Sequence, residues 1–298
     1  MTSEHIQDEF EAKPIDWQAG RRAFLTTMGL GAAGAAMLSG SLAISSEVQA
    51  AEITDSDIFN FALNLEYLEA EFYLRAAFGR GLADDDTTGV GQRGAVKGGR
   101  KVPFATRNFQ LYAEEIARDE EAHVKFIRRA LGDAKVARPP INLFDSFNVA
   151  ARAAGLVPAG GSFDPFANET NFLLAAFIFE DVGVSAYKGA APLISDKGNL
   201  EAAAGILAVE AYHAGIIRTI LFQLGLFKEA QAISDLRNTA DGPGSYDQGI
   251  GSAFKANLVP SDGNGIAFSR TPGRVKQVVF LGDNNRGGFF PAGVYGDL

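Results

Sequence analysis

Asp119-Glu120-Glu121-Ala122-His123 is echoed later in the chain by Glu210-Ala211-Tyr212-His213. Of the three histidines, only His5 lies outside these two stretches, and each of the other two follows a glutamate by three residues. On a helix, positions i and i+3 share a face. Each Glu-x-x-His therefore presents a carboxylate and an imidazole side by side, a donor pair suited to a transition metal. The surroundings are apolar. Ile116, Ala117, Val124 and Ile127 share a face with Glu120, and Ile206, Leu207, Ala214 and Ile217 share one with Glu210. A carboxylate buried in such a stripe costs several kcal/mol unless it finds a cation or a proton. One such histidine is read most plainly as a core residue that follows an acid. Two in matching apolar settings point to metal ligands.

Outward from these stretches the chain reads as helices. Asp55–Phe78 forms a first long helix, capped by Thr54 or Asp55 and ended by Gly79 and Gly81. Glu66 sits mid-helix, with Glu69 and Glu71 as competitors for any functional role. The glycine- and charge-rich segment 79–102 reads as a long mobile loop. Phe104 to Leu131 is the second helix, carrying Glu120 and His123. A long connection follows to about Asn168, with a short helical piece over Asp145–Ala154. The third helix, Glu169–Ala190, is apolar all round and so deeply buried, and Glu180 lies within it. Asn199 caps a fourth helix that bears Glu210 and His213 and reaches Gly225. A short fifth helix runs from Phe227 to Asn238.

These helices repeat. Glu66 is followed seven residues later by Tyr73, and Glu180 at the same spacing by Tyr187. Each Glu-x6-Tyr helix precedes a Glu-x-x-His helix, which predicts a pseudo-two-fold bundle with one ligand set from each half. Seven residues are about two helical turns, so each tyrosine lies on its glutamate's face. Alone, either tyrosine reads as core packing; as a repeated pair they are candidates to support the site.

Four long helices, two single glutamates and two Glu-x-x-His pairs resemble the ferritin-like carboxylate bundle, over about residues 52–230. The resemblance implies an all-α fold, a four-helix bundle with a long crossover between its second and third helices. Carried over residue by residue, it makes Glu66, Glu120, His123, Glu180, Glu210 and His213 the ligands of two iron or manganese ions, Glu120 and Glu210 bridging. Asp119 matches a position from which some relatives hydrogen-bond a ligand histidine; Val209 stands at the equivalent place in the other half. The two-histidine set is similar to the oxidase, rubrerythrin-like and manganese-catalase branches. That implies redox chemistry with dioxygen or peroxide, with Tyr73 or Tyr187 as hydrogen-bond donor or radical relay.

The two ends differ from the bundle. Arg21-Arg22-Ala23-Phe24-Leu25, a mildly apolar stretch from Met28 to Ala43, and Val48-Gln49-Ala50 resemble a twin-arginine export signal over 1–50. Its apolar segment is short and broken by glycines, which argues against a membrane anchor. The expectation is therefore export to the periplasm or beyond by the twin-arginine machinery, a route for proteins that fold before crossing. The bundle is assigned to 51–232 and an irregular extension, rich in Gly, Pro, Asn and Asp, to 233–298. One helix is expected in it after Thr271-Pro272, running to about Leu281. Phe254, Phe268, Val278, Val279 and Phe280 suggest that this extension docks on the bundle. With the exported front end it resembles the branch that includes plant desiccation-related proteins.

The 298 residues are 47% hydrophobic with a net charge of −9, which suits one sizeable core and argues against a nucleic-acid surface. The absence of cysteine excludes disulfides, thiolate metal sites and iron–sulfur clusters. Two functions remain open: a redox enzyme of stress protection, or a non-catalytic metal-binding or desiccation-protective protein with a structural metal. The chain could also assemble as a homo-oligomer.

Overall fold

A computed structural model describes residues 53–298, apart from 245, 246, 284 and 297. The export signal read over 1–50 lies outside the described residues. The first helix, α1, is Asp55–Phe78. Thr54 caps it by accepting from the Asp57 amide, and the Asp57 carboxylate accepts from the Thr54 amide, closing a capping box. Gly79 ends the helix at φ 75°, a left-handed turn that glycine adopts without a Cβ clash. Then come α2 (Arg107–Leu131), α3 (Asp145–Ala153), α4 (Glu169–Ala190), α5 (Lys197–Gln223), α6 (Phe227–Ala240) and α7 (Pro272–Val279). The helix α1 packs along α2, and α4 along α5; the pairs close through α1 against α4 and α2 against α5. The result is an all-α four-helix bundle whose long crossover, between α2 and α4, contains α3.

Some expected boundaries move. Helix α2 starts at Arg107, after Thr106, and not at Phe104. Asp196, not Asn199, caps α5: its carboxylate accepts from the Asn199 amide, which places Asn199 inside the first turn.

The two Glu-x-x-His helices meet solvent differently from the helices between which they pack. Nearly every α1 residue from Ile58 to Ala77 is buried, as is most of α4. Helix α1 is covered on its outer side by the crossover and the tail. Asn60 donates to the Ala134 carbonyl and accepts from the Val136 amide. Asn64 donates to the Tyr295 carbonyl and accepts from its amide. These buried amides are satisfied by tying distant backbone to the helix.

Segment 79–102 is not the loose loop expected. It carries a 3-10 turn, Asp84–Thr87, and a short strand β1 (Val96–Lys97), which pairs in parallel with β2 (Ile141–Asn142) of the crossover. Buried Arg128 donates to the carbonyls of Asp85 and Thr88, and Arg138 to that of Gly94. Arginines distant in sequence do this pinning, which local composition does not reveal.

Val278, Val279 and Phe280 of the extension are buried, but Phe254, expected to dock with them, is fully exposed on the tip of the β3–β4 hairpin (Gly251–Ser252, Lys255–Ala256). Phe289 provides the main wedge, its ring 4.9 Å from that of Phe179 and 5.0 Å from that of Phe147. A buried charge network also holds the extension. Asp181 on α4 pairs with Arg218 at 2.7 Å and Arg237 at 2.8 Å; Arg237 reaches Asp247 at 2.6 Å; Arg270 reaches Asp241 at 2.8 Å and also binds Asp247.

Candidate metal centre

The four long helices aim their acids and imidazoles at one point. His123 Nδ1 stands 3.3 Å from Glu66 Oε2, 3.6 Å from Glu120 Oε2 and 3.7 Å from Glu210 Oε1. His213 Nδ1 stands 3.0 Å from Glu120 Oε1 and 3.8 Å from Glu180 Oε2. All six residues expected from the sequence therefore come together, and all are buried. They fall into two groups, Glu66, Glu120, His123 and Glu210, and Glu180, Glu210 and His213, each offering atoms within 4.8 Å of one another. Glu210 belongs to both groups, and Glu120 faces both imidazoles through its two oxygens.

Most of these atoms have no hydrogen-bond partner. Glu66 Oε2, Glu180 Oε2, both oxygens of Glu120 and Glu210, and Nδ1 of both histidines are buried and unsatisfied. Leaving one buried polar atom unpaired costs about 1–3 kcal/mol, so a converging set is a strong departure from ordinary core design. Carboxylate oxygens and imidazole nitrogens are the donors that iron, manganese or zinc accept, and the residues present fit such an ion.

The outer contacts orient these ligand atoms. Asp119 Oδ2 lies 3.2 Å from Nε2 of His213, which leaves Nδ1 as a lone pair toward the centre when the imidazole is neutral. Asp119 thus serves the histidine of the opposite half; Val209 offers His123 no such partner. The tyrosines also cross over. Tyr73 of α1 donates to Glu180 Oε1 of α4, and Tyr187 of α4 donates to Glu66 Oε1 of α1. Each tyrosine was expected beside the glutamate of its own helix. Because α1 packs against α4, two turns along one helix reach the other helix's acid, so the repeat locks its halves together.

Electrostatics match a place built for a cation. Burial, opposed by His123 and reinforced by the Glu120 charge, raises Glu66, and burial pushes Glu180 up to about 8. Burial and the charges of Glu69 and Glu120 push Glu210 well above the usual range. Burial works against the Glu120 charge too, but both imidazoles outweigh it and hold this carboxyl below the usual range. Burial disfavours the His123 cation, yet Glu66 and Glu120 lift it to about 11; Asp119 and Glu120 lift His213 to about 10 against the same penalty.

Of the two competing acids on α1, Glu71 belongs elsewhere. It is buried against Arg75 of the same helix, 2.9 Å away, and Arg138, which also donates to the Gly94 carbonyl and so fixes the first loop to the helix. Glu69 does face the centre. It is buried, and burial followed by the charges of Glu120, Glu180 and Glu66 raises its pKa well above the usual range. The Glu-x-x-His pattern gave no reason to choose it.

Comparison with known proteins agrees with this architecture. Residues 54–223 match the model of the ferritin-like domain. The chain belongs to the ferritin-like family. A desiccation-related protein of Craterostigma plantagineum is 32% identical over 245 residues, covering 74% of this chain and 76% of that protein. A ferritin-like catalase, Nec2, of Nesocodon mauritianus is 28% identical over 268 residues, covering 82% and 84%. No solved structure matches the chain. Both relatives extend beyond the ferritin-like domain match, so the likeness to them includes part of this ferritin-like chain outside the bundle helices.

Proposed function

We propose that this ferritin-like protein is exported, holds two iron or manganese ions and disproportionates hydrogen peroxide as a protection against oxidative stress. The observation that carries this reading is the ring of unpartnered, buried carboxylate and imidazole atoms contributed by all four bundle helices. Glu66, Glu120 and His123 would hold one ion and Glu180, Glu210 and His213 the other, with Glu120 and Glu210 placed to serve both. Two such ions, when bound, would supply the exchange of two electrons with an oxygen–oxygen bond.

The chain's own residues do the rest. The apolar walls around the centre keep bulk water out and strengthen every charge interaction inside. Tyr73 and Tyr187 fix one oxygen each of Glu180 and Glu66, leaving the other oxygen aimed at the centre. Asp119 sets the orientation of His213. In the overall reaction two molecules of peroxide become two of water and one of dioxygen, so the protein needs no outside reductant. The name of the Nesocodon relative, a catalase, supports peroxide over dioxygen as the substrate.

The name of the Craterostigma relative favours a second reading, a desiccation-protective protein in which the metal is structural. Oxygen evolution from peroxide separates the two. Protein loaded with manganese or iron should release dioxygen from hydrogen peroxide at a rate that disappears in Glu180→Ala. Fully loaded protein that releases none supports the structural reading.

A further inference from the structure

The repeat that relates α2 to α5 breaks on the outer faces of these helices. On α2, Arg107, Glu115, Arg118 and Arg129 are exposed. On α5, the charged residues between Glu201 and Gln223 are Glu210 and Arg218, and both are buried. Helix α5 is long and apolar enough to cross a membrane, yet only 44% of its most apolar stretch is buried. Tyr212, at its middle, is 73% exposed. A continuous uncharged face of this kind marks a contact surface.

The face is also hollowed. Ala208, Ala211, Tyr212 and Gly215 of α5 form a groove of about 870 Å³ with Leu258 and Val259 of the extension. At Ala211, Gly215, Leu258 and Val259 this groove runs into a recess of about 100 Å³ between α4 and α5. The charged residues lining the recess are two acids, Asp181 and Asp247, with no base among the described residues there. Asp181 Oδ1 is buried without a hydrogen-bond partner, a state that favours a nearby cation or donor. An engineered cavity of about 150 Å³ takes up benzene, so this recess, open to the groove, is of the size for one aromatic ring.

The complementary shape lies on the same chain, four residues before Leu258. Phe254 stands fully exposed at the tip of the β3–β4 hairpin, with Lys255 beside it. The hairpin is braced from below. The Asn257 amide donates to the Ile250 carbonyl at 2.9 Å, and buried Arg218 donates to the Asn257 carbonyl at 2.7 Å. A ring presented on a fixed support loses little conformational freedom when it is covered. The knob is thus an aromatic ring next to a cation, and the recess is an apolar hollow with acids in its lining. Knob and groove share the segment 254–259, so a two-fold axis beside it sets each copy's knob in the other's groove.

We infer that the outer face of α5 binds a second copy of this chain, in a two-fold pair where Phe254 of each copy enters the recess of the other and Lys255 faces its acids. Metal content plays no part in this contact.

The test is sedimentation equilibrium of the purified protein over a range of concentrations, unaltered and as Phe254→Asp and Ala208→Arg. The unaltered protein should sediment as a dimer. Both substituted residues are exposed in the single chain, so each variant should keep the helical circular dichroism of the unaltered protein. Phe254→Asp removes the ring and turns an acid toward acids, and Ala208→Arg sets a long charged side chain in the groove. Each should weaken the dimer at least about thirtyfold. Unaltered protein that is monomeric at every concentration would overturn the inference. A dimer that survives either substitution at unaltered affinity would place the contact elsewhere and overturn it too. So would an unaltered monomer that floats with phosphatidylcholine vesicles, which would assign the face to a lipid surface.

Discussion

Removing the metal should destabilise the protein, and the loss should grow as pH rises. The carboxyl of Glu180 moves from an ordinary 4.5 to about 8 in the metal-free fold, with burial as the main cause. A group raised in the folded state contributes stability that is complete below its unfolded value and is lost as pH climbs through its folded value. For Glu180 that window runs from 4.5 to about 8, and the shift corresponds to about 5 kcal/mol. His123 and His213, raised from 6.5 to about 11 and about 10, add a loss of the same sign above pH 6.5. Glu120, lowered, has the opposite sign, but its loss falls in acid below 4.5. The metal-free protein should therefore weaken steadily between about pH 5 and 8. A bound cation displaces those protons, so its affinity rises over the same interval and the holo protein is spared. Melting curves with and without a chelator should separate by about 10 °C or more at pH 8 and converge toward pH 5. If complete metal removal left the melting temperature unchanged at every pH, the acids would be satisfied without a cation and the reasoning would fail.

Three further outcomes follow from particular residues. Tyr73→Phe together with Tyr187→Phe strips the donors from Glu180 Oε1 and Glu66 Oε1; stability should fall by about 1–3 kcal/mol per site, seen as a lower melting temperature with metal still bound. Arg237→Met leaves Asp181 and Asp247 each short of a buried partner, and chemical denaturation should show a loss of about 3–5 kcal/mol; a loss below 1 kcal/mol, about the scale of a surface pair, would mean that the network does not hold the extension in place. Arg21→Lys with Arg22→Lys should leave precursor in the cytoplasm, since lysine does not reproduce the planar guanidinium fork; cell fractionation that finds the variant exported normally would assign it to another route.

Much of the bundle was legible because its signals are local and periodic. Thr54 and Gly79 bound α1, and the i, i+3 spacing set both Glu-x-x-His pairs on inward faces, where they do meet. What escaped the reading depends on which helix lies beside which. The tyrosines could be placed on a face, but their acceptors are glutamates of the neighbouring helix. Segment 79–102 looked loose because Arg128 and Arg138, which pin it, lie far along the chain. Phe254 looked like a docking residue by composition, yet hairpin geometry leaves it in solvent. Glu69 carried no signal in the Glu-x-x-His pattern, because its facing the other acids depends on how α1 packs against the other helices.

The central claim is that six residues, three from each half, exist to hold a pair of metal ions. Elemental analysis of the protein purified from its native source tests it most directly. The account predicts two ions of iron, manganese or both per chain, falling to well below one in Glu180→Ala. One ion per chain, or none, in the unaltered protein would contradict it.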